Sequence, residues 1–189
     1  MASVRLLAVD PGVKCGYAFM EVHQPLADGI KADYKQAGVW LLQTKRYEGY
    51  GMRFVRLHNL LEEMNPDMIA YEQVNFPHKS TAAAEAYYGI VGKVKEFGDL
   101  TGAVYCGITT TDVKTRATGK GGGKGTDKTH MVNAANAFFE IDPPLNNSKS
   151  ASNPDHNTAD ALWIMQIMLE NYASGASKRN QRKDRNEQR

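Results

Sequence analysis

The sequence predicts an α/β protein, a mixed sheet with helices on its faces. Three observations carry that reading. Short apolar runs of strand length, rich in Val, Leu and Ile, recur at residues 4–9, 67–71 and 102–108. Between and after them lie longer segments whose apolar residues repeat with helical spacing. The order is three strands, helix, strand, helix, strand, helix, helix, which suits a sheet covered by its own connections.

The first strand, Val4 to Val9, runs straight into Asp10-Pro11-Gly12, an acid followed at once by a turn. Pro11 has no backbone donor to extend a sheet, and Gly12 tolerates a positive φ. Cys15 to Val22 reads as a second strand, in a hairpin with the first. Gln24 to Lys35 mixes Pro, Gly and Asp as loops do, and Gln36 to Gln43 reads as the third strand. Tyr50 to Met64 carries an apolar stripe of Met52, Val55, Leu57, Leu60, Leu61 and Met64 and stops at Asn65-Pro66, as a proline-ended helix should.

Asp67 to Glu72 is a short apolar strand that again ends on an acid. Thr81 to Phe97 is an Ala-rich helix whose small residues Ala84, Gly89 and Gly92 permit close helix approach. Gly102 to Ile108 reads as another strand of the buried type. Thr109 to Thr126, with five glycines, reads as a flexible basic loop, Asp127 to Phe139 as a helix, and Asp142 to Asn153 as a loop. The last helix opens at Asn153-Pro154, an N-cap with proline at the first helical position. From Ala161 to Leu169 it is apolar around its circumference, which marks a buried helix. The expected organisation is one domain over residues 1–173 and a basic, disordered tail over 174–189.

A chain of 189 residues, 42% hydrophobic, is long enough for a substantial core. Its apolar runs are too short to cross a bilayer, and no signal peptide is expected at its head. Cys15 and Cys106 read as buried free thiols, so the expected compartment is the cytoplasm, and zinc is disfavoured. The net charge of +2 hides an asymmetry, because residues 112–128 carry +3 and residues 178–189 carry +4. A slightly acidic body with a basic loop and tail suits a polyanion binder with an acidic pocket. The tail taken alone is equally well a solubilising end.

The acids carry the chemistry. Asp10 and Glu72 each close a buried strand, and Asp160 lies near the start of the buried helix. Singly, each has an ordinary explanation as a cap or turn residue. If the first and fourth strands run parallel, however, both acids emerge at the same sheet edge, where such folds place ligands. A helix opening with Asp155, His156, Asn157 and Asp160 would then lie across that edge. Positions 156, 157 and 160 share one helix face, whereas Asp155 suits the helix dipole. Clustered carboxylates repel unless protonated or bridged by cations. Oxygen-only ligation points to Mg²⁺, with Mn²⁺ as substitute, and two such ions about 4 Å apart would serve phosphodiester hydrolysis.

Four ordered stretches, LAVDPGVKCGYA (7–18), YEQV (71–74), DVKTRATGKGGGKGTDKTHMV (112–132) and DHNTADAL (155–162), resemble the RuvC family of Holliday-junction resolvases, within the RNase H-like superfamily. The likeness runs over about residues 4 to 172. It implies a five-stranded mixed sheet flanked by helices, a homodimer, Mg²⁺ and a four-way DNA junction as partner, in a bacterial or phage-infected cytoplasm. It assigns Asp10, Glu72 and Asp160 to catalysis and metal binding. Three residues before the last acid the family carries Asp or His, and here stands Asn157, which suits a diverged, phage-type member. Asn157 is thus a metal-ligand candidate, His156 a proton-shuttle candidate, and the fourth site residue is open among Asp155, His156 and Asn157.

The resemblance also implies DNA contacts. Lys114, Arg116, Lys120, Lys124 and Lys128 sit in the basic segment, where a Gly-rich backbone can conform to phosphates without reading bases. No Gly-Lys-Ser/Thr opens the next helix, so a nucleotide P-loop is excluded. Phe76 lies one position after the family's base-stacking aromatic, with His78 and Lys79 beside it. The helix from Thr81, with Tyr87 and Tyr88, falls where the family dimerises. The alternatives are an RNase H-like nuclease on flaps or structured RNA, and a catalytically silent junction-binding module. The strand–acid–glycine opening also occurs in sugar and acetate kinases of the actin-like fold, but the chain has no room for their two duplicated domains.

Overall fold

The structure, a computed structural model, describes residues 3–23, 30–74, 80–150 and 153–187, with side chains through residue 175. Five strands form one mixed sheet in the order β3-β2-β1-β4-β5. β1 (Ser3–Asp10) and β2 (Lys14–His23) make the expected hairpin, Asp10 pairing with Gly16, and β3 (Ala37–Leu41) extends it antiparallel. β4 (Met68–Gln73) lies parallel to β1, and β5 (Val104–Thr109) parallel to β4. The α/β class and the five-stranded mixed sheet are as the sequence predicts.

The sheet separates two cores, and the strand period of two decides which residues join which. Leu6 and Ala8 of β1 face one core with Ala70 of β4, while Leu7, Val9, Ile69 and Tyr71 face the other. The second core is closed by α1 (Met52–Met64) and α2 (Thr81–Thr101). The first is closed by α3 (Thr110–Thr118), α4 (Lys128–Phe139) and α5 (Asp155–Glu187). The apolar run of α5 is buried as expected: Ala161, Leu162, Trp163, Ile164 and Met165 are at most 1% exposed. Burying one large apolar side chain contributes about 1.5–3 kcal/mol, so this helix anchors its face of the sheet.

Four expectations need correction. The segment from Thr109 is not simply a loop, because residues 110–118 form α3. Thr109 caps it by accepting from the Asp112 amide at 3.1 Å and donating to the Asp112 carboxylate at 2.7 Å. Gly119, at φ 74°, ends it. β5 is an edge strand rather than a buried one, so Val104 is 59% exposed and Cys106 is exposed; Cys15 alone is a buried thiol. The apolar stripe of α1 is rotated from its expected position, leaving Met52 and Val55 outward while Arg53 joins Leu57 and Leu61 on the inner face. Finally, Tyr87 and Tyr88 differ in exposure: Tyr87 is buried and Tyr88 is 62% exposed, their rings meeting edge to face at 5.2 Å.

Candidate active site

Alternation along the strands brings the acids together. The register pairs Ala8 with Ala70 and Val9 with Tyr71, so the next residues along, Asp10 and Glu72, leave the sheet side by side. Asp10 continues the series of Leu6 and Ala8, and Glu72 that of Met68 and Ala70, so both turn to the face that α5 covers. Asp160 of α5 meets them there. Parallel pairing of the first and fourth strands is thus what places two of the three carboxylates at one rim.

The three share an electrostatic neighbourhood. Burial pushes the Asp10 carboxyl well above its ordinary range, and the charges of Asp160 and Glu72 push it further; Asp10 and Glu72 are also joined by a side-chain hydrogen bond. Burial and the charge of Glu72 push Asp160 up to about 7, while Lys128 and Lys114 pull it down. Lys128 pulls Asp10 down too, but more weakly than the acids raise it. Burial and mutual repulsion together therefore outweigh the nearby lysines at both carboxyls.

Among the described residues, no three His, Cys, Asp or Glu side chains form a ready-made metal cage. The donor set nonetheless fits a hard divalent cation: three carboxylates, no thiolate, and a negative excess that two lysines do not cancel.

The candidates for a fourth residue each have hydrogen-bond partners within the fold. The Asn157 amide donates to the Lys14 carbonyl of β2 at 2.9 Å. Its main chain packs so closely on β2 that a Cβ built on Gly16 would stand 2.0 Å from the Asn157 carbonyl oxygen, so the glycine is what lets α5 reach the sheet. His156, 2% exposed, points to Ser148, where Nε2 donates to the Ser148 carbonyl at 2.9 Å, and Nδ1 has no partner among the described residues. The Asp155 carboxylate accepts from the Asn146 amide at 2.7 Å. His156 and Asp155 thus tie the loop to the helix, and Asn157 ties the helix to the sheet.

The basic residues divide. Lys114 of α3 and Lys128 at the start of α4 lie close enough to the acids to affect them. Lys120 and Lys124 are exposed in the turn between those helices. Arg116 is committed within the fold: its guanidinium makes a fork to Glu170 at 2.7–3.1 Å and stacks over Phe138 at 4.7 Å. Phe76, His78 and Lys79 lie outside the described residues.

Sequence reasoning missed Tyr87 as a site residue. Its hydroxyl accepts from the Val74 amide at 2.9 Å and donates to the Glu72 carbonyl at 3.1 Å, bracketing the end of β4. The signal was its place nearly two helical turns into α2, behind the strand that carries Glu72.

A mixed sheet with an acidic rim under a buried helix defines the class: this is the RNase H-like α/β fold. Within it, the solved structures this chain resembles are Holliday-junction resolvases. Thermus thermophilus RuvC in complex with a Holliday junction substrate matches with TM-score 0.61 and 19% identity, over 91% of this chain and 96% of that one. A second Thermus thermophilus RuvC structure matches with TM-score 0.58 and 20% identity, over 86% and 91%. The yeast mitochondrial Holliday junction resolvase Ydc2 matches with TM-score 0.58 and 14% identity, over 93% and 84%. No family model matches the sequence, and neither does any curated protein.

Proposed function

We propose that this protein is a structure-selective endonuclease that resolves Holliday junctions and related branched DNA by hydrolysing phosphodiesters, working as a homodimer. One observation carries the reading: Asp10, Glu72 and Asp160, far apart in sequence, converge on one rim and repel one another there. Such an arrangement costs stability unless something cationic completes it. Asp10, Glu72 and Asp160 would hold Mg²⁺, or Mn²⁺ in its place, which supplies an activated water and a counter-charge for the leaving oxygen.

The remaining roles belong to the chain's own residues. Lys114 and Lys128 flank the acids and would draw a phosphate to them, while Lys120 and Lys124 extend that positive edge outward. Tyr87 and Asn157 act as positioning residues, fixing the end of β4 and the start of α5. A two-fold dimer would set two such rims on the paired strands of a four-way junction. The solvent side of α2, with Tyr88 exposed and open space around Gly92, supports that pairing.

Competition in Mg²⁺ among a four-way junction, a flap and an RNA hairpin tests the substrate. Preferred cutting of the junction supports the proposal. Preference for the flap or hairpin supports an RNase H-like nuclease of another substrate class, and tight junction binding without cutting in Mg²⁺ or Mn²⁺ identifies a silent binding module.

A further inference from the structure

A groove of roughly 610 Å³ opens next to the acidic rim, on the α1–α2 side of the sheet. It is bounded by the turn 11–13 that follows Asp10, by Val74 just past Glu72, by Tyr87 of α2, and by Tyr50 and Arg53 at the start of α1. Among the described residues its walls are apolar or aromatic apart from one charged group. That group is Arg53, the residue the helical pattern would have turned to solvent.

Arg53 is only 8% exposed, and what remains open faces the groove. Its guanidinium stacks on the Tyr50 ring at 3.7 Å, and Nε donates to the Tyr50 carbonyl at 3.2 Å. Among the described residues it makes no other hydrogen bond and no ion pair, which leaves the two terminal nitrogens as an oriented pair of donors. A cation this buried normally has a carboxylate partner. Here the partner position is the groove.

We propose that the groove receives an unpaired base from the DNA strand bound at the acids, guanine by preference, and that Arg53 reads it. The two terminal nitrogens match the adjacent O6 and N7 acceptors of guanine. The walls formed by Val74, Tyr50 and Tyr87 suit a flat ring, whereas a phosphate would leave them unused. A base must be free of its partner for its O6 and N7 edge to reach the Arg53 side chain, which is only 8% exposed. The inference rests on the nuclease reading, because the groove is continuous with the Asp10 turn.

The test uses the full chain and four-way junctions in which each base within three nucleotides of the exchange point is varied in turn among guanine, 7-deazaguanine and adenine. Binding is read by fluorescence anisotropy in EDTA, and cleavage in Mg²⁺. Guanine should be favoured at one position by roughly 5- to 100-fold, with 7-deazaguanine losing most of that. Arg53→Met should abolish the preference, bringing guanine junctions down to the affinity of adenine junctions measured on the same variant. Arg53→Lys, which keeps the charge and loses the fork, should abolish it too, and it carries the test if the Met variant melts early. Absence of any base preference in the wild type overturns the inference but leaves the nuclease reading standing if the junction is still cut. Persistence of the preference in Arg53→Lys, or equal weakening on every base, also overturns it, the latter marking a phosphate contact. A wild type that neither binds nor cuts branched DNA overturns the nuclease reading and this inference with it.

Discussion

The side chain of Asn157 donates a hydrogen bond to the main-chain carbonyl of Lys14, 143 residues away, and so fastens α5 to the hairpin that presents Asp10. An aspartate there could not donate, and its charge would face a carbonyl oxygen. Asn157→Asp is therefore expected to lower stability by about 1–3 kcal/mol, and Asn157→Ala by about 1 kcal/mol, with cleavage falling alongside. Urea melts with parallel cleavage assays check this. An Asn157→Asp protein that is more stable and more active would make position 157 a ligand rather than a clasp.

The acids predict a pH dependence with a definite sign. Asp10 and Asp160 both titrate higher when folded than the ordinary carboxylate value of 3.8. The folded protein thus binds more protons than the unfolded chain between that value and about 7 for Asp160. The contribution of Asp160 to stability is complete below pH 3.8, falls as pH rises toward about 7 and is level above it, and Asp10 acts in the same direction. In EDTA, Asp160→Asn should melt above the wild type at pH 8, with the gap narrowing toward pH 5. Adding Mg²⁺ at pH 8 should stabilise the wild type and not the variant. A gap independent of pH would show that the charges do not meet.

Tyr87 braces the strand end that carries Glu72. Tyr87→Phe removes both hydrogen bonds of the hydroxyl, leaves the buried Val74 amide unsatisfied, and should cost about 1–2 kcal/mol. Because Glu72 then loses its fixed exit from β4, kcat should drop more than KM rises. A variant with wild-type kcat would confine Tyr87 to packing.

The basic residues should separate in salt titrations. Lys120→Ala and Lys124→Ala should each reduce the slope of log binding against log salt by about 0.9 and leave the melting point unchanged. Arg116→Ala should instead lower stability by about 1–2 kcal/mol, through loss of the Glu170 fork and the Phe138 stack. A destabilised Lys124→Ala protein, or an Arg116→Ala protein changed only in its salt slope, would reverse the division.

Much of this architecture was legible in the residues because each local signal had a single good solution. The apolar run before Asp10 and the one before Glu72 are too short for anything but buried strands, and parallel pairing then forces both acids to one rim. The apolar belt of α5 left it no exposed face. What escaped the sequence depended on register and on edges. β5 is as apolar in composition as β4, yet it ends the sheet, and composition does not reveal which strand is last. The N-cap made by Thr109 with Asp112 was masked by the glycines that follow α3. Arg53 was misplaced because its three-methylene spacer and the Tyr50 ring let a charged residue occupy an apolar stripe.

The central claim is that Asp10 and its two partners form the hydrolytic site, and cleavage of a synthetic four-way junction in Mg²⁺ by Asp10→Asn tests it most directly. The account predicts that this variant folds, binds the junction as tightly as the wild type, and cuts it slower by on the order of 10³-fold or more. An Asp10→Asn protein that still cuts at the wild-type rate would contradict it.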